Sequence, residues 1–147
     1  MILVKTYIKR KNEFIEFNDY TEKFEDSDYI EGALELTIND IVLLNKDMWD
    51  YIDQLWSYIA DGIVCIQNNK PFETYFPDQP IKISLTPIKE SVFVSVTCHS
   101  EKKIKVDKKE FVHEMTKHVI DFFDYLRKKD VNFNSRYTEL LSSLNKH

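Results

Sequence analysis

The groups that could do covalent or acid–base chemistry in this sequence are two cysteines, four histidines and 25 carboxylates. His113-Glu114 with His118 invites comparison with the zinc-protease helix, in which histidines four apart share one face. Here they are five apart, which separates them by about 140° around a helix, so one ion cannot take both. The plainer reading puts His113 at the surface and His118 on the buried face. Cys98-His99 sets a thiol beside an imidazole, as a thiolate nucleophile needs, but neighbouring strand residues point to opposite faces. An enzyme or small-molecule site around Cys98 and His99 would have to draw its partners, carboxylates included, from elsewhere on the sheet.

Other chemistries lack their residues. A serine elbow needs G-x-S-x-G, and Gly32 and Gly62 are the only glycines. The same scarcity excludes a P-loop or a dinucleotide fingerprint, because backbone amides reach phosphate only through several glycines. Nothing in the spacing of the carboxylates marks a pair that shares a proton. Cys65 and Cys98 stand in apolar segments, outside any Cys-x-x-Cys pair, where free cysteine behaves as a small hydrophobe. No catalytic residue, cofactor, metal ligand or disulfide is expected.

The elements that would position any site can be read from period and punctuation. Ile2 to Ile8 and Phe14 to Phe17 read as strands across a turn at Arg10-Lys11-Asn12, followed by a polar loop from Asn18 to Asp28. Tyr29 to Ile38 alternates, with Gly32 as a candidate bulge, and Asn39-Asp40 turns the chain into Ile41 to Leu44. Met48, Ile52, Leu55, Ile59, Ile63 and Ile66 form one helical stripe after an N-cap at Asp47, ending near Asn68-Asn69 ahead of Pro71. Asp50, Asp53, Ser57 and Asp61 fall opposite that stripe. Trp49 and Trp56 flank it on one side, with Tyr51 and Tyr58 on the other. These four rings form a stacking platform or, more simply, the edge of the core.

Phe72 to Pro80 reads as an irregular segment in which Tyr75 and Phe76 mark a contact surface. A three-stranded antiparallel meander follows: Ile81 to Leu85, Val92 to Cys98, then Ile104 and Val106 beyond a turn at Glu101-Lys102-Lys103. Asp107 and Glu110 have capping-box spacing and open a second helix with the stripe Phe111, Met115, His118, Phe122 and Leu126. Val112, Ile120 and Phe123 widen its apolar arc, so a short third helix carrying Tyr137, Leu140, Leu141 and Leu144 is expected against it. The order of elements predicts one α+β domain over residues 1–147. It has a mainly antiparallel sheet of five to six strands, two long amphipathic helices and a short C-terminal helix.

Charge is segregated along the chain. Residues 13–61 hold fourteen acids against Lys23 and Lys46, a net of −12, while the whole chain is −5. Residues 1–12 hold four basic groups and no acid, and residues 101–129 hold nine basic against six acidic groups. An acidic face repels nucleic acid and draws in a basic protein. The competing reading is that these carboxylates scatter over a solvated face or pair with the chain's own cations. No run approaches the length of a membrane span, and the first residues, Met1-Ile2-Leu3-Val4-Lys5, reverse the order of a secretory signal. A cytoplasmic protein, without membrane or nucleic-acid contact, is therefore expected.

Several segments together resemble small immunity-type proteins encoded beside bacterial polymorphic toxins. They are Ile30-Glu31-Gly32-Ala33-Leu34-Glu35-Leu36, the helix of Trp49 and Trp56, Phe76-Pro77-Asp78-Gln79-Pro80-Ile81, and the helix Phe111 to Phe123. The resemblance implies a non-enzymatic protein that binds a cognate toxin and blocks its active site, and an acidic face suits a basic toxin such as a nuclease. The expected partner-binding residues, taken from charge and exposure, are Glu22, Glu25, Asp26, Asp28, Asp50, Asp53, Tyr75 and Phe76. Self-association through an open sheet edge and exposed aromatics is a third reading.

Overall fold

Alternation decides the first strand. In β1 (Ile2–Arg10) the side chains of Ile2, Val4, Thr6 and Ile8 are buried while Leu3 and Lys5 are exposed. The computed structural model describes residues 1–24, 26, 29–129, 142 and 144. β1 turns through Lys11, at φ 57°, into β2 (Glu13–Glu16), and on its other side pairs antiparallel with β3 (Glu31–Ile38). Asn39 and Asp40 both take positive φ, 48° and 70°, the turn that suits a two-residue hairpin and that short polar side chains tolerate. β4 (Ile41–Leu44) follows, with a register shift at Leu36/Thr37. A short β5 (Asp50–Tyr51) pairs with the start of β3, completing a sheet of order β2-β1-β3-β4.

The second sheet has the order β6-β7-β8-β9, formed by β6 (Phe72–Tyr75), β7 (Lys82–Ile88), β8 (Ser91–Cys98) and β9 (Ser100–Asp107). All pairings in both sheets are antiparallel. The fold is thus α+β, as the sequence predicts, but its strands divide between two sheets and number nine among the described residues. Phe72–Tyr75 is an edge strand and not an irregular loop. Glu101, Lys102 and Lys103 lie within β9, and the hairpin turns at His99, whose φ is 66°.

Gly32 is no bulge. It pairs in register with Ile8 on one side and Asp50 on the other, and a Cβ there would overlap the Tyr7 carbonyl oxygen. The residue is glycine because two backbones and Ile52 close on it.

α1 (Ile52–Gln67) begins four residues later than the stripe suggests, since β5 claims Asp50 and Tyr51 for the sheet. It touches strands of both sheets as well as α2 (Lys108–Lys128), and so it is buried nearly all round. Trp56 is fully buried and donates from Nε1 to Thr6 Oγ1 at 3.0 Å. Asp53 and Ser57, expected on a solvent face, are buried too.

The capping of α2 is as its spacing implies, with Asp107 Oδ2 accepting from the Glu110 amide at 3.0 Å. Its buried side chains are Phe111, Met115, Val119, Phe122, Phe123 and Leu126, so Val119 fills the place expected for His118. The α2 end pins the segment after β2: Phe17 packs edge-on against Phe122 and Tyr125, Tyr125 Oη donates to the Tyr20 carbonyl, and the Lys129 ammonium sits over the rings of Tyr20, Phe24 and Tyr125. Leu144 is helical and buried, whereas Tyr137, Leu140 and Leu141 lie outside the described residues.

Candidate functional site

Part of the acidic surplus of residues 13–61 is spoken for. β1 lies between β2 and β3, and its cations meet their acids: Lys5 with Glu16 and Lys9 with Glu31, each at 4.0 Å, and Arg10 with Glu22. Glu35 accepts from Tyr7 Oη at 2.7 Å, and burial, with that carboxylate beside it, pushes the Tyr7 phenol up to about 12. Asp50 and Asp53 are buried. The net charge read along the chain therefore overstates what reaches the surface.

The expected partner residues scatter accordingly. Asp26 is exposed, as is Glu22 with Arg10 against it, and Tyr75 is 58% exposed on β6. Asp50, Asp53 and Phe76 are buried, which corrects their expected place on an exposed surface. Glu25 and Asp28 lie outside the described residues.

Asp50 does something that a helical wheel does not show. Its Oδ2 accepts from the backbone amides of Asp78, at 3.0 Å, and Gln79, at 2.9 Å, while Oδ1 accepts from the Tyr51 amide. The Gln79 side-chain amide returns a hydrogen bond to the Trp49 carbonyl. Two loops distant in sequence, 47–51 and 77–80, are thereby locked into one surface. Asp50→Ala is expected to lower stability by about 1–3 kcal/mol, because three amides lose an ionic acceptor. It should also raise hydrogen exchange at Asp78 and Gln79 while leaving that of β7 and β8 unchanged.

The locked loops frame a hollow of about 250 Å³ lined by Glu31, Asp47, Trp49, Asp50, Tyr51, Asp78 and Gln79. Trp49 is 37% exposed, Asp47 and Asp78 are exposed, and among the described residues no cation pairs with either carboxylate. The Tyr51 phenol is raised above its ordinary value, by partial burial first and then by Asp78, Glu31, Asp50 and Tyr29. Tyr29 stands edge-on to Tyr51 at 5.2 Å and is itself exposed. A neighbouring hollow of about 370 Å³ shares Glu31 and Tyr51 but carries Lys9, Arg10 and Lys11. Lys9 places its ammonium 4.2 Å from the centre of the Trp49 ring.

The chemically reactive groups are placed apart from this surface. Cys98 ends β8 half-buried, His99 is exposed in the following turn, and neither lines any of the hollows described above. His113 is exposed, and His118 is half-buried with Nε2 3.9 Å from Glu114. Burial lowers the His118 pKa against the opposing pull of Glu114. Among the described residues no three His, Cys, Asp or Glu side chains converge to hold a metal ion, and no helix is long and apolar enough to cross a membrane.

The grouping that sequence reasoning missed is Asp47, Trp49, Tyr51 and Asp78 around one hollow. Their signal is the alternation of acid and aromatic in Asp47-Met48-Trp49-Asp50-Tyr51, ahead of the helix. No protein-family model, curated protein or solved structure matches the chain.

Proposed function

We propose that this is a non-enzymatic binding protein that docks onto a basic protein partner, in the manner of the immunity proteins that neutralise toxins in the cytoplasm. The observation that carries the reading is the hollow between loops 47–51 and 77–80. There an exposed indole and two carboxylates, Asp47 and Asp78, that pair with no cation among the described residues stand on loops joined through the buried carboxylate of Asp50. Exposed aromatics anchor interfaces through apolar area, and carboxylates beside them select and steer a cationic partner. Fixing the loops beforehand removes part of the ordering cost of association.

The docking surface is smaller than the run of acids in the sequence suggests, because Lys5, Lys9 and Arg10 already face Glu16, Glu31 and Glu22. Affinity capture from the source cell at low and at moderate salt tests the reading. The expected result is a basic protein retained at low salt and released as ions screen the contact. A neutral or acidic partner, or one held equally at both salt concentrations, would overturn it.

A further inference from the structure

We infer that the hollow takes the guanidinium of an arginine side chain on the partner, stacked on Trp49 and forked onto the carboxylates beside it. The inference rests on the binding reading above and adds the group that is recognised. Among the described residues the lining contains two rings and four carboxylates but no cation. Asp50 spends its oxygens on the amides of Tyr51, Asp78 and Gln79, and Glu31 faces Lys9, which leaves Asp47 and Asp78 to an incoming charge.

The chemistry of the lining narrows the occupant. A metal ion needs ligands that converge on one point, and these carboxylates do not. A hollow of about 250 Å³ beside an indole suits a larger, flat cation. Guanidinium is planar, is less strongly hydrated than ammonium, stacks on aromatic faces and donates in a fork that matches a carboxylate. Trp49 already serves a cation within the molecule, since Lys9 lies over its ring, and Lys9 lines the neighbouring hollow and not this one.

The probe is a short peptide, acetyl-Gly-Arg-Gly-Arg-Gly-amide, with citrulline and lysine counterparts, titrated into the full chain and followed by ¹H–¹⁵N spectra. The arginine peptide should shift the Trp49 indole N–H and the amides of Asp78 and Gln79, while the Trp56 indole, buried against Thr6, stays still. Trp49→Ala and the isosteric Asp78→Asn should each weaken binding by tenfold or more. Both positions are exposed, and unchanged amide shifts in β7 and β8 check that each variant keeps the fold. The citrulline peptide should leave the spectrum unchanged, and the lysine peptide should bind several-fold more weakly. An unmoved Trp49 indole, or equal binding of citrulline or lysine, would overturn the arginine assignment. Such a result leaves the broader reading intact if a basic partner is still captured in a salt-dependent manner. Peptide binding without any basic partner would instead sink the broader reading.

Discussion

Replacing Trp56 by alanine is expected to lower the stability of the protein by about 3–5 kcal/mol, as for other large buried aromatics. Trp56 is fully buried on α1, the helix that touches both sheets, so the void would open where strands and helix meet and could collapse only by moving several elements at once. The loss has two parts that can be separated. Trp56→Phe keeps most of the apolar volume but leaves the Thr6 hydroxyl, itself buried, without the indole donor it faces at 3.0 Å. That step alone should cost about 1–3 kcal/mol. Pairing Trp56→Phe with Thr6→Val in a double-mutant cycle should recover part of the loss, because both halves of the contact are then apolar. Urea unfolding with an unchanged slope would measure it. A Trp56→Ala loss under about 1 kcal/mol would mean that the helix is not seated as described.

Gly32→Ala should be as damaging for a different reason. The added Cβ overlaps the carbonyl oxygen of Tyr7 and lies 2.7 Å from Cγ2 of Ile52. A side chain end could swing away, but the Tyr7 oxygen belongs to the backbone of β1 and moves only if the β1–β3 ladder opens. A loss above about 3 kcal/mol is expected, at the upper end for overpacking. Gly32 also pairs with Asp50, so the displaced β5 should carry the hollow's loops with it, and the Trp49 indole N–H should shift along with the strand resonances. A loss within about 1 kcal/mol would show that β1 yields there after all.

These two positions show what in the fold could be read from the sequence. Strands β1 to β4 and the β7–β8 hairpin follow from period-two alternation and turn residues, and α2 follows from Asp107, Glu110 and its stripe. Such features are local, so the sequence carries them. The charged run Glu101-Lys102-Lys103, by contrast, looks like a turn and is strand, the chain reversing at His99. What else misleads is nonlocal. Phe72–Tyr75 is only four residues long and lies between prolines, and it becomes a strand because β7 supplies the pairing. Asp50 looks like a solvent-facing helical residue until β3 draws it into a bridge and the 77–80 amides supply donors. A wheel assigns α1 one buried face. The small residues Ala60 and Gly62 are the available hint that a second face is covered, for a Cβ on Gly62 would meet the Phe72 ring at 2.7 Å.

The place of the candidate site was not legible in the sequence. The charge of residues 13–61 points to a basic protein, but the helical wheel sets Trp49 and Tyr51 at the edge of the core. Which acids remain unpaired depends on strand order, because β1 brings Lys5 alongside Glu16 of β2 and Lys9 alongside Glu31 of β3. No count along the chain contains that order.

The clasp between the segment after β2 and the end of α2 sets a timetable for assembly. Tyr125 reaches back 105 positions to the Tyr20 carbonyl, and Lys129 reaches back 107 to that of Glu22. During synthesis on the ribosome, Phe17, Tyr20 and Phe24 emerge early with no helix to close over them. They stay accessible to chaperones until α2 has been made, and the loop entropy lost in that late closure slows folding.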